Sequence, residues 1–247
     1  MRLTSDRHDF APAEPTLDRQ VMATTIDAVL FDLDDTLVEY ERSPGQVLDI
    51  AFESVGVEPF FAVEEYVDRF EDHLAPDVSI AESRAACFAA IADDRGRAPD
   101  LGRRVAGEFA DERDQSRVEP LPGARETLDA LAADHALGVV TNGPPGMQST
   151  KLEAAGLADR FETVVFAGHD APAKPDPEPF AVALSDLGVR ADRAVHVGDS
   201  MSSDVAGAHA AGLRSAWLSA DEAVEPEPEP HHAIEGLAEL VELPWRE

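Results

Sequence analysis

The chain has 247 residues, long enough for one large domain or two smaller ones with a substantial core. Its 50 acidic residues outnumber 20 basic ones, and the formal charge of −30 argues against nucleic acid or an anionic membrane surface as a partner, since phosphate binding needs clustered Lys and Arg. The short basic patches Arg95-Gly96-Arg97 and Arg103-Arg104 read as solvated helix faces.

Residues 1–24 are polar, contain Pro12 and Pro15 and show no sustained periodicity, so they are expected to form a disordered tail, with Met22 an alternative start. The apolar run Ala28-Val29-Leu30-Phe31 follows, and Asp32-Leu33-Asp34-Asp35-Thr36 comes straight after it. A short apolar run that ends in carboxylates reads as a buried parallel strand delivering acids to the carboxyl edge of a sheet, where open α/β folds place their sites. From 39 to 119 no strand signal is found. Val63, Val67, Phe70 and Leu74 recur there at helical spacing, and Cys87, Phe88 and Ile91 suggest a second apolar face. Roughly 80 residues of helical insert are expected there, with most of its aromatic residues forming bundle core.

Four further short apolar runs, 137–140, 163–166, 194–197 and 215–218, predict strands. Helical patterns lie between them at 124–133, 150–155, 180–187 and 204–211, and Gly156, Gly188 and Gly212 serve as stops. Alternating strands and helices imply a doubly wound parallel sheet, an α/β core formed by 25–38 and 120–247 with a helical insert at 39–119. The run of alternating Glu and Pro from Glu225 to Pro230 cannot be helical and is expected to link the last strand to a closing helix at 234–241.

Polar residues recur at the carboxyl ends of the predicted strands: Asp32-x-Asp34-x-Thr36, Thr141-Asn142-Gly143, Lys174 before Pro175, and Gly198-Asp199 with Asp204 five residues on. These four motifs, in this order from Ala28 to about Leu218, resemble the haloacid dehalogenase-like hydrolase superfamily, in its phosphatase branch with a helical C1-type cap. The resemblance implies a Rossmann-like core, Mg²⁺ as cofactor and a small phosphorylated metabolite as substrate.

The chemistry fits those residues. A dianionic ester admits an anionic nucleophile only if cations first neutralise the field, here Mg²⁺ and Lys174. Asp32 is expected to attack phosphorus and form an aspartyl-phosphate, its other oxygen binding the metal. Asp34 is placed to protonate the leaving alkoxide and later to take a proton from water, and crowding near Asp32 is expected to favour one protonated carboxyl. By the family pattern its backbone carbonyl is another metal ligand. Thr141, Asn142 and Gly143 would cradle the phosphoryl group with Lys174, while Asp199 completes the metal shell. Asp204 would orient Lys174 or a metal-bound water, or with Ser203 simply start a helix.

Asp35 and Thr36 read as turn and capping residues, His196 as core, and His231-His232 as a solvated pair, while His169 could touch substrate. A phosphomutase would keep the same core residues and is the second reading. Haloacid dehalogenases proper lack the second aspartate, carbon–phosphorus hydrolases of the family use an insert lysine that 39–119 does not contain, and a receiver-like phosphoacceptor has no alkoxide for Asp34 to protonate. Thr141-Asn142-Gly143 is similar to the second motif of nucleoside-monophosphate and acylneuraminate phosphatases.

Only two of the basic residues are lysines, Lys151 and Lys174. An acid-rich, lysine-poor composition resembles that of proteins from salt-loving organisms, and dependence on high salt is expected. In such a chain a lysine kept beside Pro175 is hard to read as surface decoration. The lone Cys87 forbids an internal disulfide, no apolar run approaches the ~18 residues of a membrane span, and Asp6, Asp9 and Glu14 interrupt any signal-peptide stretch, so a soluble cytoplasmic protein is expected.

Overall fold

The computed structural model describes residues 25–74, 78–219 and 228–242. The expected tail at 1–24 and the first part of the Glu-Pro run, 225–227, lie outside the described residues.

Strands β1 (Ala28–Phe31), β4 (Ala136–Asn142), β5 (Thr163–Ala167), β6 (Ala194–Gly198), β7 (Arg214–Leu218) and β8 (His232–Ile234) form a sheet in the order β5-β4-β1-β6-β7-β8, with every pairing parallel. All four residues of β1 are buried because both faces of the sheet are covered. Val29 and Phe31 join an apolar cluster with Leu128 and Leu131 of α5 (Ala124–Leu131) and Leu152 of α6 (Pro145–Ala154). Ala28 and Leu30 point the other way, to Phe180, Ala183 and Leu184 of α7 (Glu178–Leu187) and Ala208 of α8 (Ala206–Ala211). The period of two along β1 thus divides one apolar run between two cores.

Between β1 and α5 the described chain forms four α-helices, α1 (Pro44–Val55), α2 (Val63–Phe70), α3 (Ile80–Asp94) and α4 (Pro99–Glu112), around their own cluster. Capping boxes start α1 (Ser43 with Gln46) and α3 (Ser79 with Glu82), satisfying amides that the first turn leaves without partners. The cluster is rich in edge-to-face rings, with Phe88 against Phe61, Tyr66 and Phe109.

Three features differ from the sequence expectations. The stretch 39–119 is flanked by two short strands, β2 (Val38–Tyr40) and β3 (Val118–Pro120), paired antiparallel with Glu39 opposite Glu119. Each has three residues, of which only Val38 and Val118 are buried, so there is no apolar run to detect. On α2 the buried residue is Tyr66, while Val67 is 59% exposed and Leu74 lies beyond the helix end, 48% exposed. The expected closing helix is instead the strand β8 followed by a 3₁₀ turn at Leu237–Val241. Ile234, Leu237 and Leu240 are buried at threefold spacing, a pattern that a strand end plus a 3₁₀ turn satisfies as well as a helix does.

No described helix is long and apolar enough to cross a membrane.

Candidate active site

The carboxyl ends of β1, β4 and β6, with the loop after β5, bring Asp32, Thr141, Asn142, Lys174 and Asp199 to one polar cavity of about 220 Å³, which Asp34, Asp35 and Ser203 also line. Asp32 is the first residue past β1, and its amide donates to Val197 O at 2.8 Å, which continues the ladder and fixes the carboxylate at the sheet edge.

Lys174 is buried, and its ammonium donates to Asp32 Oδ1, Asp204 Oδ1 and Val140 O, each at 2.7 Å. Its three protons thus have three acceptors. Burial works against its charge, but Asp32 and then Asp204 outweigh that and hold the ammonium above its ordinary range. Asn142 anchors the lysine from behind, accepting from Lys174 N at 2.8 Å and donating to Lys174 O at 3.2 Å. Within the described structure, then, Asn142 is a clamp on the lysine loop.

Asp204 sits in a π-helical turn, Met201–Val205, that starts the helix after β6. Its Oδ2 accepts from Ser200 N at 3.0 Å, and its Oδ1 lies 3.0 Å from His196 Nε2 as well as against Lys174. Burial would raise its pKa, but the His196 hydrogen bond and the Lys174 cation prevail and hold it below the carboxylate range. Burial pushes the His196 pKa below its ordinary value, and because an ionised Asp204 can only accept, it is the ring Nε2–H that donates. Gly198 makes room for the arrangement, since a Cβ there would stand 2.3 Å from Asp204 Cγ.

Asp32 and Asp199 are shifted the other way. Burial chiefly raises Asp32 well above the carboxylate range, with Lys174 opposing, and raises Asp199 to about 6. Oxygens of Asp32, Asp199 and Asp204 all lie within 4.8 Å of one another. Three carboxylates face a single ammonium here, and two of the three are destabilised as anions. A hard, oxygen-seeking dication fits that donor set and would restore the balance of charge.

Asp34 is turned away from this group. Lys151 Nζ lies 2.6 and 2.8 Å from its two oxygens, and Gln148 Nε2 lies 2.9 Å from Oδ2. The same amide nitrogen is 2.7 Å from Thr141 Oγ1 and 3.1 Å from Asn142 O. Residues 148 and 151, three apart on α6, share one helix face, which explains how both reach a single carboxylate. Asp34 thus stands in an ion pair with Lys151. Gly143 turns the chain from β4 into α6 with φ +138°, a value that L side chains rarely adopt.

Lys151 and Gln148 are the functional candidates that the sequence reading misses. The scarcity of lysine, which singles out Lys174, singles out Lys151 equally. Thr36 also differs from its expected capping role. It is fully buried, and its hydroxyl donates to Asp199 Oδ1 at 3.3 Å. Asp35 forms the turn, with φ 55°. His169 is exposed and contacts Asp170, while His231 is not merely solvated, since its Nδ1 accepts from Ser215 N at 3.2 Å.

A parallel sheet covered by helices on both faces, with carboxylates and a lysine gathered at its carboxyl edge, defines a doubly wound α/β protein with its site at the strand ends. The chain belongs to the haloacid dehalogenase-like hydrolases, whose family model matches residues 26–212, and it is an enzyme of that family. It is 32% identical over 228 residues to a phosphoserine phosphatase of Thermus thermophilus, covering 81% of this chain and 90% of that one. It is 37% identical over 202 residues to a phosphoglycolate phosphatase of Rhodospirillum rubrum, covering 81% and 82%. Among solved structures, the magnesium-bound HAD-hydrolase YfnB of Bacillus subtilis superposes with a TM-score of 0.70 at 23% identity, covering 88% of this chain and 98% of that one, a likeness of fold.

Proposed function

We propose that the protein hydrolyses a small phosphomonoester in the cytoplasm through an aspartyl-phosphate on Asp32. The observation that carries this reading is the convergence of Asp32, Lys174 and Asp199 on one small polar cavity beside Thr141, with the buried Asp204 accepting from Lys174. The phosphatase relatives, which cover most of the chain, support it.

A carboxylate oxygen of Asp32 attacks phosphorus as the bond to the ester oxygen breaks, and the departing alkoxide takes a proton from Asp34. Water then attacks the phosphoryl group and gives a proton to Asp34 as the acyl-phosphate bond breaks. Asp32 and free phosphate are the products. Lys174 holds positive charge against the transferring oxygens, while the Thr141 hydroxyl and the Asn142 backbone N–H offer donors to them, and Gly143, whose amide donates to Ala167 O, makes the turn beside them. The pair with Lys151 aims Asp34 and suits the second step, in which Asp34 accepts a proton. For the first step that pair must loosen.

Asp32 and Asp199 would hold Mg²⁺ with the Asp34 carbonyl, and the ion would supply charge neutralisation for the dianionic ester. Asp204 steadies Lys174. The four helices α1–α4 act as a cap over the site, excluding water and limiting the substrate to small esters.

Phosphate release from a panel of small phosphomonoesters, in molar KCl with and without Mg²⁺, tests this. Release should require the metal, and Asp32→Asn should lower kcat by a factor of about 10³ or more. Turnover that survives chelation, or survives in Asp32→Asn, would refute the mechanism. Halide release from 2-haloacids without metal would identify a dehalogenase, and phosphoryl transfer between hydroxyls of one substrate without phosphate release would identify a mutase.

A further inference from the structure

Between the four-helix unit and the sheet lies a larger cavity of about 620 Å³, bordered by Asp34 and Gly143 on one side and by Tyr66, Ile80 and Arg84 on the other. Because Asp34 borders both cavities, the larger one is where the leaving group of a bound ester would extend.

Arg84, on α3, is only 9% exposed. Its Nε donates to Tyr66 Oη at 3.3 Å, and its Cζ stands 5.1 Å from the centre of the Phe109 ring. Neither partner is an anion. Most arginines with an ion pair in this protein are far more exposed, as with Arg95 on Glu65, Arg117 on Glu112 and Arg190 on Asp192. Among the described residues, no carboxylate lies within ion-pair distance of Arg84. A buried cation is costly unless a counter-ion meets it, and in a chain with 50 acidic residues an acid partner would be easy to supply.

The other cations around this cavity are differently engaged. Lys151 holds Asp34, Arg42 pairs with Glu112, and the half-buried Arg113 lies over the Tyr40 ring at 4.3 Å. With Nε taken by Tyr66, the two terminal nitrogens of Arg84 remain for the cavity, and that fork matches a pair of anionic oxygens.

We propose that Arg84 reads a second anionic group on the leaving group of the ester, a carboxylate or another phosphate, so that the substrate carries negative charge at both ends. The proposal rests on the phosphatase reading of the site. Tyr66 positions the guanidinium, and the exposed apolar side chains of Val67 and Ile80 border the same cavity and favour a short, compact linker.

Three esters of similar size decide it: 2-phosphoglycolate, ethylene glycol bisphosphate and the neutral-ended 2-hydroxyethyl phosphate. Their kcat/KM values are measured with Mg²⁺ for the wild-type chain, Arg84→Met and Arg84→Lys. At least one anionic-ended ester should exceed the neutral one by about 100-fold in the wild-type protein, because a buried polar group is left unpaired by the neutral analogue. Whichever anionic ester leads identifies carboxylate or phosphate. Arg84→Met should bring that ratio to within a few-fold of one, chiefly through KM, and Arg84→Lys should restore part of it. Equal turnover of all three esters by the wild-type protein, or an undiminished ratio in Arg84→Met, would overturn the proposal while leaving the phosphatase reading intact. Hydrolysis of none of the panel esters used for Asp32→Asn would remove both. If Arg84→Met does not fold by thermal melting, the wild-type ratio and Arg84→Lys decide the matter.

Discussion

Lys151 is buried, and its ammonium contacts both oxygens of Asp34 while standing 5.0 Å from the centre of the Tyr40 ring. Gln148 ties the same carboxylate to Thr141 and to the Asn142 carbonyl. The proposed proton carrier is therefore aimed by α6, an element that contributes none of the four motifs. Lys151→Met should lower kcat by roughly 10- to 100-fold while KM changes little, the usual cost of removing a group that orients an active one. Because the Asp34 side chain is about one-third exposed, water can replace the lost partner and the melting temperature should fall only slightly. Lys151→Arg should recover part of kcat. A Lys151→Met enzyme with full kcat would show that the pair is structural. Asp32, Asp199 and Lys174 were legible in the sequence because each ends a strand or precedes a proline. Lys151 sits inside an ordinary helical pattern, and only its rarity as a lysine marks it.

At the level of elements, α4 shows what holds the four-helix unit together. Gly102 faces α3 so closely that a Cβ there would stand 2.1 Å from the carbonyl oxygen of Phe88, whereas a Cβ on Gly107 of the same helix meets nothing within 4 Å. The first is a close approach between backbones, and the second is glycine without a packing need. Gly102→Ala should push α3 and α4 apart and cost about 1–3 kcal/mol or more by overpacking, while Gly107→Ala should add roughly 0.5–1 kcal/mol through helix propensity. Denaturant titration of both variants checks the pair, and equal effects would contradict the packing. The sheet was legible because parallel strands buried on both faces leave apolar runs. The ribbon β2–β3 and the edge strand β8 were not, since each is three residues long and owes its place to neighbours rather than to its own pattern. The apolar spacing in 63–74 did mark a helix, but Tyr66 rather than Val67 turns to the core, a one-residue rotation that spacing alone leaves open.

For the whole molecule the dominant quantity is a formal charge of −30. Both lysines of the chain are buried at the site, each against carboxylates, so neither offsets the surface charge at a distance. The surface cations of the described residues are arginines, and many of them already sit in ion pairs of their own. The remaining acids repel one another over distances that salt controls, since the screening length falls from about 10 Å at 0.1 M to about 3 Å at 1 M. The folded state brings these charges closer than the unfolded chain does, so it gains most from screening. The melting temperature should therefore rise by on the order of 10 °C between 0.1 and 2 M KCl, corresponding to several kcal/mol at roughly 2–4 °C per kcal/mol for a chain of this size. Most of the gain should come below about 1 M, where the screening length changes fastest. Strengthened burial of apolar surface would instead grow steadily through the molar range and would follow sulfate more than chloride. A melting temperature insensitive to KCl across the whole range would mean that the acidic surface imposes no repulsion for salt to relieve, and the expected salt dependence would fall with it.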